Sequence, residues 1–187
     1  MTLPNVLEPT YLQMLKALSA WLGKAEAQRP DGGSEALLTA RLAPDMFPLA
    51  TQIRFACVQA QEGVFRLKGQ EFPASLEALL NEGRTAIEFP GSMTDARARI
   101  DETIAVVEAV ASEAFDVDPA TPIAHALPSG MVFDFTAEQY ARDWALPQFY
   151  FHVMIAYAIL RAEGVDLGKA DYVAHLFAYL RPGTMPS

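Results

Sequence analysis

Apolar side chains recur every three or four residues along most of the chain, which is the spacing that places them on one face of an α-helix. Each predicted helix is bounded by a capping residue or by a glycine or proline that ends it. The pattern predicts four long helices, over residues 8–28, 45–69, 94–114 and 146–163. It also predicts shorter helical segments, at residues 34–40, 75–84, 138–145 and 169–180.

The helical pattern is interrupted between residues 116 and 136. Two short runs, IAHAL and MVFDF, flank the turn PSG, and the second run alternates between apolar and polar positions as a half-buried strand does. A small β-hairpin is predicted here. The fold class is therefore all-α, a four-helix bundle with a small β-hairpin before the last long helix, in one domain that spans residues 1–187.

Composition narrows the class of partner. The formal net charge of −9 disfavours nucleic acid and anionic lipid. The longest apolar run, residues 149–160, is shorter than the ~20 residues that cross a membrane. The single Cys57 suits a reducing compartment and is expected in the core, and residues 1–13 lack the pattern of an export signal. We expect a cytoplasmic protein.

His152 is the leading candidate for chemistry, because it stands in the otherwise apolar run FYFHVMIAYAIL. A buried imidazole needs a hydrogen-bond partner. Two interpretations remain: a helix-core histidine with one such bond, or a ligand-binding residue or general base. Glycine-rich phosphate loops, HExxH, GxSxG and EF-hand motifs are absent, so the largest enzyme classes lose support.

Other polar residues are expected near the same end of the bundle. Gln148 lies one helical turn before His152, and a carboxylate or a phenol could join them. Each has a structural alternative: the aspartates can cap helices or stabilise helix dipoles, and the tyrosines can be core aromatics. The proposed ligand-binding set is Asp45, Asp143, Gln148, Tyr150 and Tyr157. His125 and His175 are interpreted as surface or packing residues.

Three segments carry a family resemblance: PTYLQMLKALSAWLGKA, RLAPDMFPLATQIRFAC and FTAEQYARDWALPQFYFHVMIAYAILRAEGVDLGKADY. They resemble a bacterial and fungal domain of unknown function, number 1993, over nearly the whole chain. That family is similar to the DinB/YfiT-like superfamily, which implies the same four-helix bundle. Many of those proteins hold a divalent metal through one histidine of the second long helix and an HxxxH pair of the fourth.

The resemblance places His152 on the second histidine of that HxxxH pair, whereas Gln148 occupies the first position. No histidine lies between residues 41 and 68, where the second helix would supply the third ligand. One imidazole alone does not retain a metal, so a bound cofactor is disfavoured. A divalent metal stays open only if Asp45, His125 or His175 replaces the missing histidines.

Three functions follow from these observations. The first is binding of a small polar molecule in a pocket at the bundle mouth, with His152 as hydrogen-bond partner or general base. The second is a non-catalytic homodimer in which Leu176 and Phe177 cover a partner surface. The third is a transferase or hydrolase that uses a divalent metal with substitute ligands. Whether the chain is an enzyme stays open.

Overall fold

A computed structural model describes residues 3–112 and 117–184. Its first half contains α1 (Pro4–Gln28), a 3₁₀ turn (Glu35–Thr39), α2 (Leu49–Leu67), α3 (Ala74–Thr85) and α4 (Met93–Ser112). Strands β1 (Pro122–Ala126) and β2 (Val132–Thr136) form an antiparallel hairpin. The chain then forms α5 (Ala137–Gln139), a π-helical segment (Tyr140–Ala145), α6 (Leu146–Ala162), α7 (Lys169–Tyr172) and a 3₁₀ turn (Ala174–Tyr179).

The predicted fold class is confirmed: the long helices α1, α2, α4 and α6 form a bundle, and the hairpin precedes α6. Helix α2 lies at its centre, because it packs against α1, α3, α4 and α6. Accordingly, 14 of its 19 residues are buried, and the predicted core residue Cys57 is among them. Among the described residues, no helix is both long enough and apolar enough to cross a bilayer.

The start of α2 differs from the prediction. Asp45 was expected to cap this helix, but α2 begins at Leu49, and Pro48 occupies the N-cap with an extended backbone. A proline disfavours helical geometry in the residue before it, so Phe47 cannot continue the helix toward Asp45. The Asp45 side chain is exposed in the preceding turn instead.

Helix α4 begins at Met93, within one residue of the predicted start at residue 94. Ser92 Oγ accepts a hydrogen bond from the Asp95 amide at 3.0 Å, and the Asp95 carboxylate accepts one from the Ser92 amide at 2.9 Å. This reciprocal pair satisfies two amides that the helix itself leaves without partners. The predicted continuation of this helix to Ala114 lies outside the described residues.

The lead-in to α6 is helical, as predicted, but it contains one wider turn. Thr136 and Gln139 form a capping box at the start of α5, and the π-helical segment then joins α5 to α6 without a break. A π-turn holds an extra residue, which changes the direction in which the following side chains point. Tyr140, Ala141 and Ala145 are its buried residues.

The C-terminal segment corrects a second prediction. An amphipathic helical segment over residues 169–180 was expected to place Tyr172, Leu176, Phe177 and Leu180 toward an apolar surface. Tyr172 does stack on Trp21, with ring centroids 6.2 Å apart. However, α7 ends at Tyr172 and the 3₁₀ turn that follows has a different period, which leaves Leu176, Phe177 and Leu180 exposed.

A buried arginine joins three helices. Arg54 of α2 is 1% exposed and donates to Glu82 of α3 at 2.6 Å and to the Ala50 carbonyl at 3.0 Å. The second oxygen of Glu82 accepts from Arg99 of α4 at 2.8 Å. One carboxylate therefore neutralises a buried guanidinium and links α2, α3 and α4.

Replacing Glu82 with alanine should destabilise the fold by about 3 kcal/mol, because Arg54 would be left buried without its counter-ion. Urea unfolding measures this change as a lower midpoint. Glu102→Ala is the matched control: Glu102 also pairs with Arg99, but its side chain is 60% exposed. That variant should lose less than about 1 kcal/mol. Equal losses for the two variants would contradict a structural role for the Arg54 pair.

Candidate functional site

His152 lies on α6 with its ring turned toward the first turns of α2. The residue is 9% exposed, so it is neither in bulk water nor sealed in the core. Phe55 of α2 and Phe151 of α6 each contact the ring edge-on, with centroids 5.3 Å away in both cases. Phe47 packs against Phe55 in the same manner. The imidazole is thus held among aromatic rings at one end of the bundle.

Gln52 is the polar partner of His152. The distance from His152 Nδ1 to Gln52 Oε1 is 2.8 Å, and both residues are buried. Gln52 Nε2 donates to the Phe47 carbonyl at 3.2 Å, which turns the amide oxygen toward the ring. Because an amide oxygen only accepts, Nδ1 must carry the imidazole proton. The chain of bonds therefore fixes the tautomer of His152.

The second ring nitrogen, Nε2, is left as an acceptor. It has no hydrogen-bond partner among the described residues, and it is not one of the fully buried polar atoms that lack a partner. Burial lowers the pKa of His152 to about 4. The imidazole is consequently neutral near neutral pH and presents a lone pair at the surface.

The other residues predicted for this site differ in exposure and in the face of the chain on which they lie. Gln148 is one turn before His152 on the same face of α6 and is partly buried. Asp143 is exposed and pairs with Arg142, which lowers the pKa of its carboxyl group. Asp45 is exposed in the turn before α2. Gln148 is thus the polar residue of this set that shares the helix face of His152.

Tyr150 and Tyr157 belong to a different face of α6. Tyr157 packs edge-on against Trp21 of α1, at 5.2 Å, and contacts Tyr172 of α7 at 6.3 Å. The pKa of the Tyr150 phenol is raised by burial and by the neighbouring Tyr172. Both tyrosines therefore face α1 and α7, whereas His152 faces α2.

The residues around His152 do not fit a divalent metal. Its polar neighbour from α2 is the amide Gln52, which is a weak ligand for zinc and already bonds to the ring. The candidate substitutes lie elsewhere: His125 packs on Trp144 at 4.4 Å in the hairpin region, and His175 lies in the C-terminal 3₁₀ turn. Within residues 3–112 and 117–184, no three His, Cys, Asp or Glu side chains come together as a metal site.

Sequence reasoning missed Gln52 and the aromatic residues Phe47 and Phe55. The family resemblance implied a histidine in α2, whereas the residue of α2 that meets His152 is an amide. A signal was present: Gln52 is a polar residue within LATQIRFAC, on a helix buried from nearly every side. A buried amide requires a partner, and His152 needed one as well.

The geometry and fold define an all-α, DinB-like bundle with a neutral histidine between its second and last long helices. The model of the domain of unknown function family DUF1993 matches residues 5–173, and the chain belongs to that family. A crystal structure of a DinB family member from Shewanella denitrificans is similar, with a TM-score of 0.66 and 29% identity. The match covers 96% of this chain and 93% of that one. No curated protein matches the sequence.

The protein should become less stable as the pH is lowered, because of His152. The folded protein keeps this ring neutral down to about pH 4, whereas the unfolded chain protonates it near its ordinary pKa of about 6.5. Between these values the unfolded state binds more protons, so stability present above the upper value is lost as pH falls toward the lower one. The expected loss is about 3 kcal/mol.

Urea unfolding at several pH values measures this effect in the wild type and in His152→Asn, whose amide can still donate to Gln52. When the pH is lowered, the free energy of unfolding should fall by about 3 kcal/mol less in this variant than in the wild type. Nitrogen-15 NMR of the ring should also find the proton on Nδ1. A ring that titrates near its ordinary pKa, or a proton on Nε2, would refute the fixed neutral tautomer.

Proposed function

We propose that this chain binds a small molecule at the His152 end of the bundle. Support comes from the bond chain Phe47–Gln52–His152, which orients a neutral imidazole and leaves Nε2 as an acceptor. Such a nitrogen selects a ligand that offers a hydroxyl or N–H donor. The rings of Phe47, Phe55 and Phe151 favour an apolar group next to that donor.

A role as hydrogen-bond acceptor fits His152 better than a role as general base. General bases work best when their pKa lies near the working pH. The pKa of about 4 makes this imidazole a weak base, so it would hold an abstracted proton poorly. We therefore propose binding rather than proton abstraction, with Gln148 as an additional polar contact on the same helix face.

We further propose that binding at this site does not depend on a resident metal. The amide Gln52 bonds to His152, and the amide Gln148 shares its helix face; amides favour hydrogen-bonded ligands over a divalent cation. The similarity to a DinB family member supports the common bundle. The ligand would therefore be held by hydrogen bonds and aromatic contacts alone.

A fragment screen tests this proposal, with the nitrogen-15 resonances of His152 as the readout. Fragments that join a hydroxyl or N–H donor to an aromatic ring should shift Nε2, and added zinc or chelator should not change their affinity. His152→Phe should weaken binding at least about fivefold, which is the loss of roughly one neutral hydrogen bond.

His175→Phe is the matched control, because it makes the same substitution in a distant histidine and should bind as the wild type does. Circular dichroism checks that both variants fold. Fragments that bind equally well to the wild type and to folded His152→Phe would remove the proposal.

A second candidate function is self-association through the C-terminal segment. Leu176 is 52% exposed, Phe177 51% and Tyr179 84%, so three large apolar or aromatic side chains lie side by side at the surface. Contiguous exposed apolar groups commonly mark interaction sites. We propose that this surface pairs two copies of the chain by a symmetric contact.

Sedimentation velocity tests the pairing. At about 20 µM we expect a species of twice the 20.4 kDa chain mass. Phe177→Ser should shift it toward the monomer, because a buried aromatic anchor is lost. Phe89→Ser is the control, since Phe89 is 71% exposed in the loop between α3 and α4. A monomer at this concentration in the wild type would rule the homodimer out.

A further inference from the structure

A groove lies between the outer face of α1 and the C-terminal 3₁₀ turn, away from His152. Its volume is about 590 Å³, which falls in the range of small-molecule sites. The apolar part of its lining consists mainly of Leu12, Ala17, Ala20, Trp21, Ala174 and Ala178. No residue of the His152 site contributes to this groove, so the two sites are independent.

Bonds between α1 and α7 hold the groove open. The Trp21 indole nitrogen donates to the Asp171 carbonyl at 3.3 Å, and Lys24 Nζ contacts the Asp171 carboxylate at 2.5 Å. Tyr172, which also belongs to α7, stacks on the Trp21 ring of α1. Because α7 leads directly into the wall that Ala174 and Ala178 form, these contacts fix the distance between the two walls. A largely preformed site spares a ligand the cost of ordering it.

The charged side chains that line the groove have a net positive charge. Lys16, Lys24 and Asp171 line it, and the close pairing of Lys24 with Asp171 leaves Lys16 as the unbalanced charge. Lys16 does pair with Glu108 at 3.3 Å, but Glu108 does not line the groove and both side chains are more than half exposed. Such exposed pairs contribute little, because water screens them. The Lys16 ammonium can therefore turn toward an anion.

Two further polar side chains border the groove. Gln13 lies one turn before Lys16 on α1, so its amide can join the ammonium at one end. His175 lies across from them in the opposite wall, and its Nδ1 is buried without a hydrogen-bond partner among the described residues. A polar atom in that state costs stability until a partner is supplied.

We propose that this groove binds an amphipathic carboxylate, with its head group at Lys16 and Gln13 and its apolar chain along Trp21. A local positive charge on a chain of net charge −9 gives the head group one favourable place to bind. From Lys16 to Lys24 the helix rises about 12 Å, which matches an extended chain of roughly ten atoms. The occupant is therefore a medium-chain fatty acid or an aromatic acid of similar length.

Tryptophan fluorescence tests the proposal, because the chain has two tryptophans and Trp144→Phe leaves Trp21 as the reporter. The probes are decanoate, decan-1-ol and decyltrimethylammonium, each below its micelle concentration. Decanoate should change the Trp21 emission saturably and bind at least about fivefold more tightly than the other two. Calorimetry with the unsubstituted protein gives the same comparison if Trp144→Phe does not fold.

Substitutions locate the bound decanoate. Lys16→Glu should raise its Kd about tenfold while leaving decan-1-ol unchanged. Lys169→Glu makes the same charge reversal outside the groove and should alter the Kd less than about twofold. Ala20→Phe should block both probes by filling the groove, and His152→Ala should block neither. This last variant separates the groove from the His152 site.

Four results would overturn the proposal. Equal affinity for all three probes would mean that the groove does not select an anion. Loss of decanoate binding in His152→Ala would place the ligand at the His152 site instead. A change in oligomeric state in Ala20→Phe would mean that the groove holds a second copy of the chain. The absence of saturable binding to the folded protein would also refute it.

Discussion

The rest of the structure depends on one constraint: the central helix α2 carries polar side chains that have no access to bulk water. Three of them bond to a partner on a neighbouring helix. Arg54 reaches Glu82 on α3, and Gln61 donates to Thr103 of α4 at 2.9 Å. Gln52 meets His152 of α6. Apolar packing alone would allow these helices to slide or rotate, whereas three directional bonds specify how each lies against α2.

The His152 site is therefore as much a product of packing as of chemistry. The bond that joins α2 to α6 also sets the ring tautomer, and the burial that makes this bond necessary lowers the pKa of the imidazole. A histidine that instead bound a metal would need other ligands in place of the amide. In this member of the DUF1993 family, His152 bonds to the protein's own amide Gln52, and its Nε2 remains as a free acceptor.

Much of the fold could be predicted from the sequence, because helix faces and their stop signals depend on neighbouring residues. The start of α2 was misplaced since Asp45 satisfies a capping rule, while the restriction that Pro48 places on Phe47 carries more weight. The site was harder to predict. Periodicity gives the face on which His152 lies, but the side chain that meets it is 100 positions away. The groove beside α1 depends on the chain's path after α7, which no local pattern contains.

The π-helical segment before α6 sets the angular position of everything that follows it. In a regular α-helix each residue turns the chain by about 100°. The wider turn at Tyr140–Ala145 allows the lead-in to pack its buried residues on α2 while α6 still presents His152 to Gln52. A relative that lacked this single extra residue would have the two halves of the helix out of phase. To keep the imidazole in place, it would have to reorient the whole β-hairpin around the bundle.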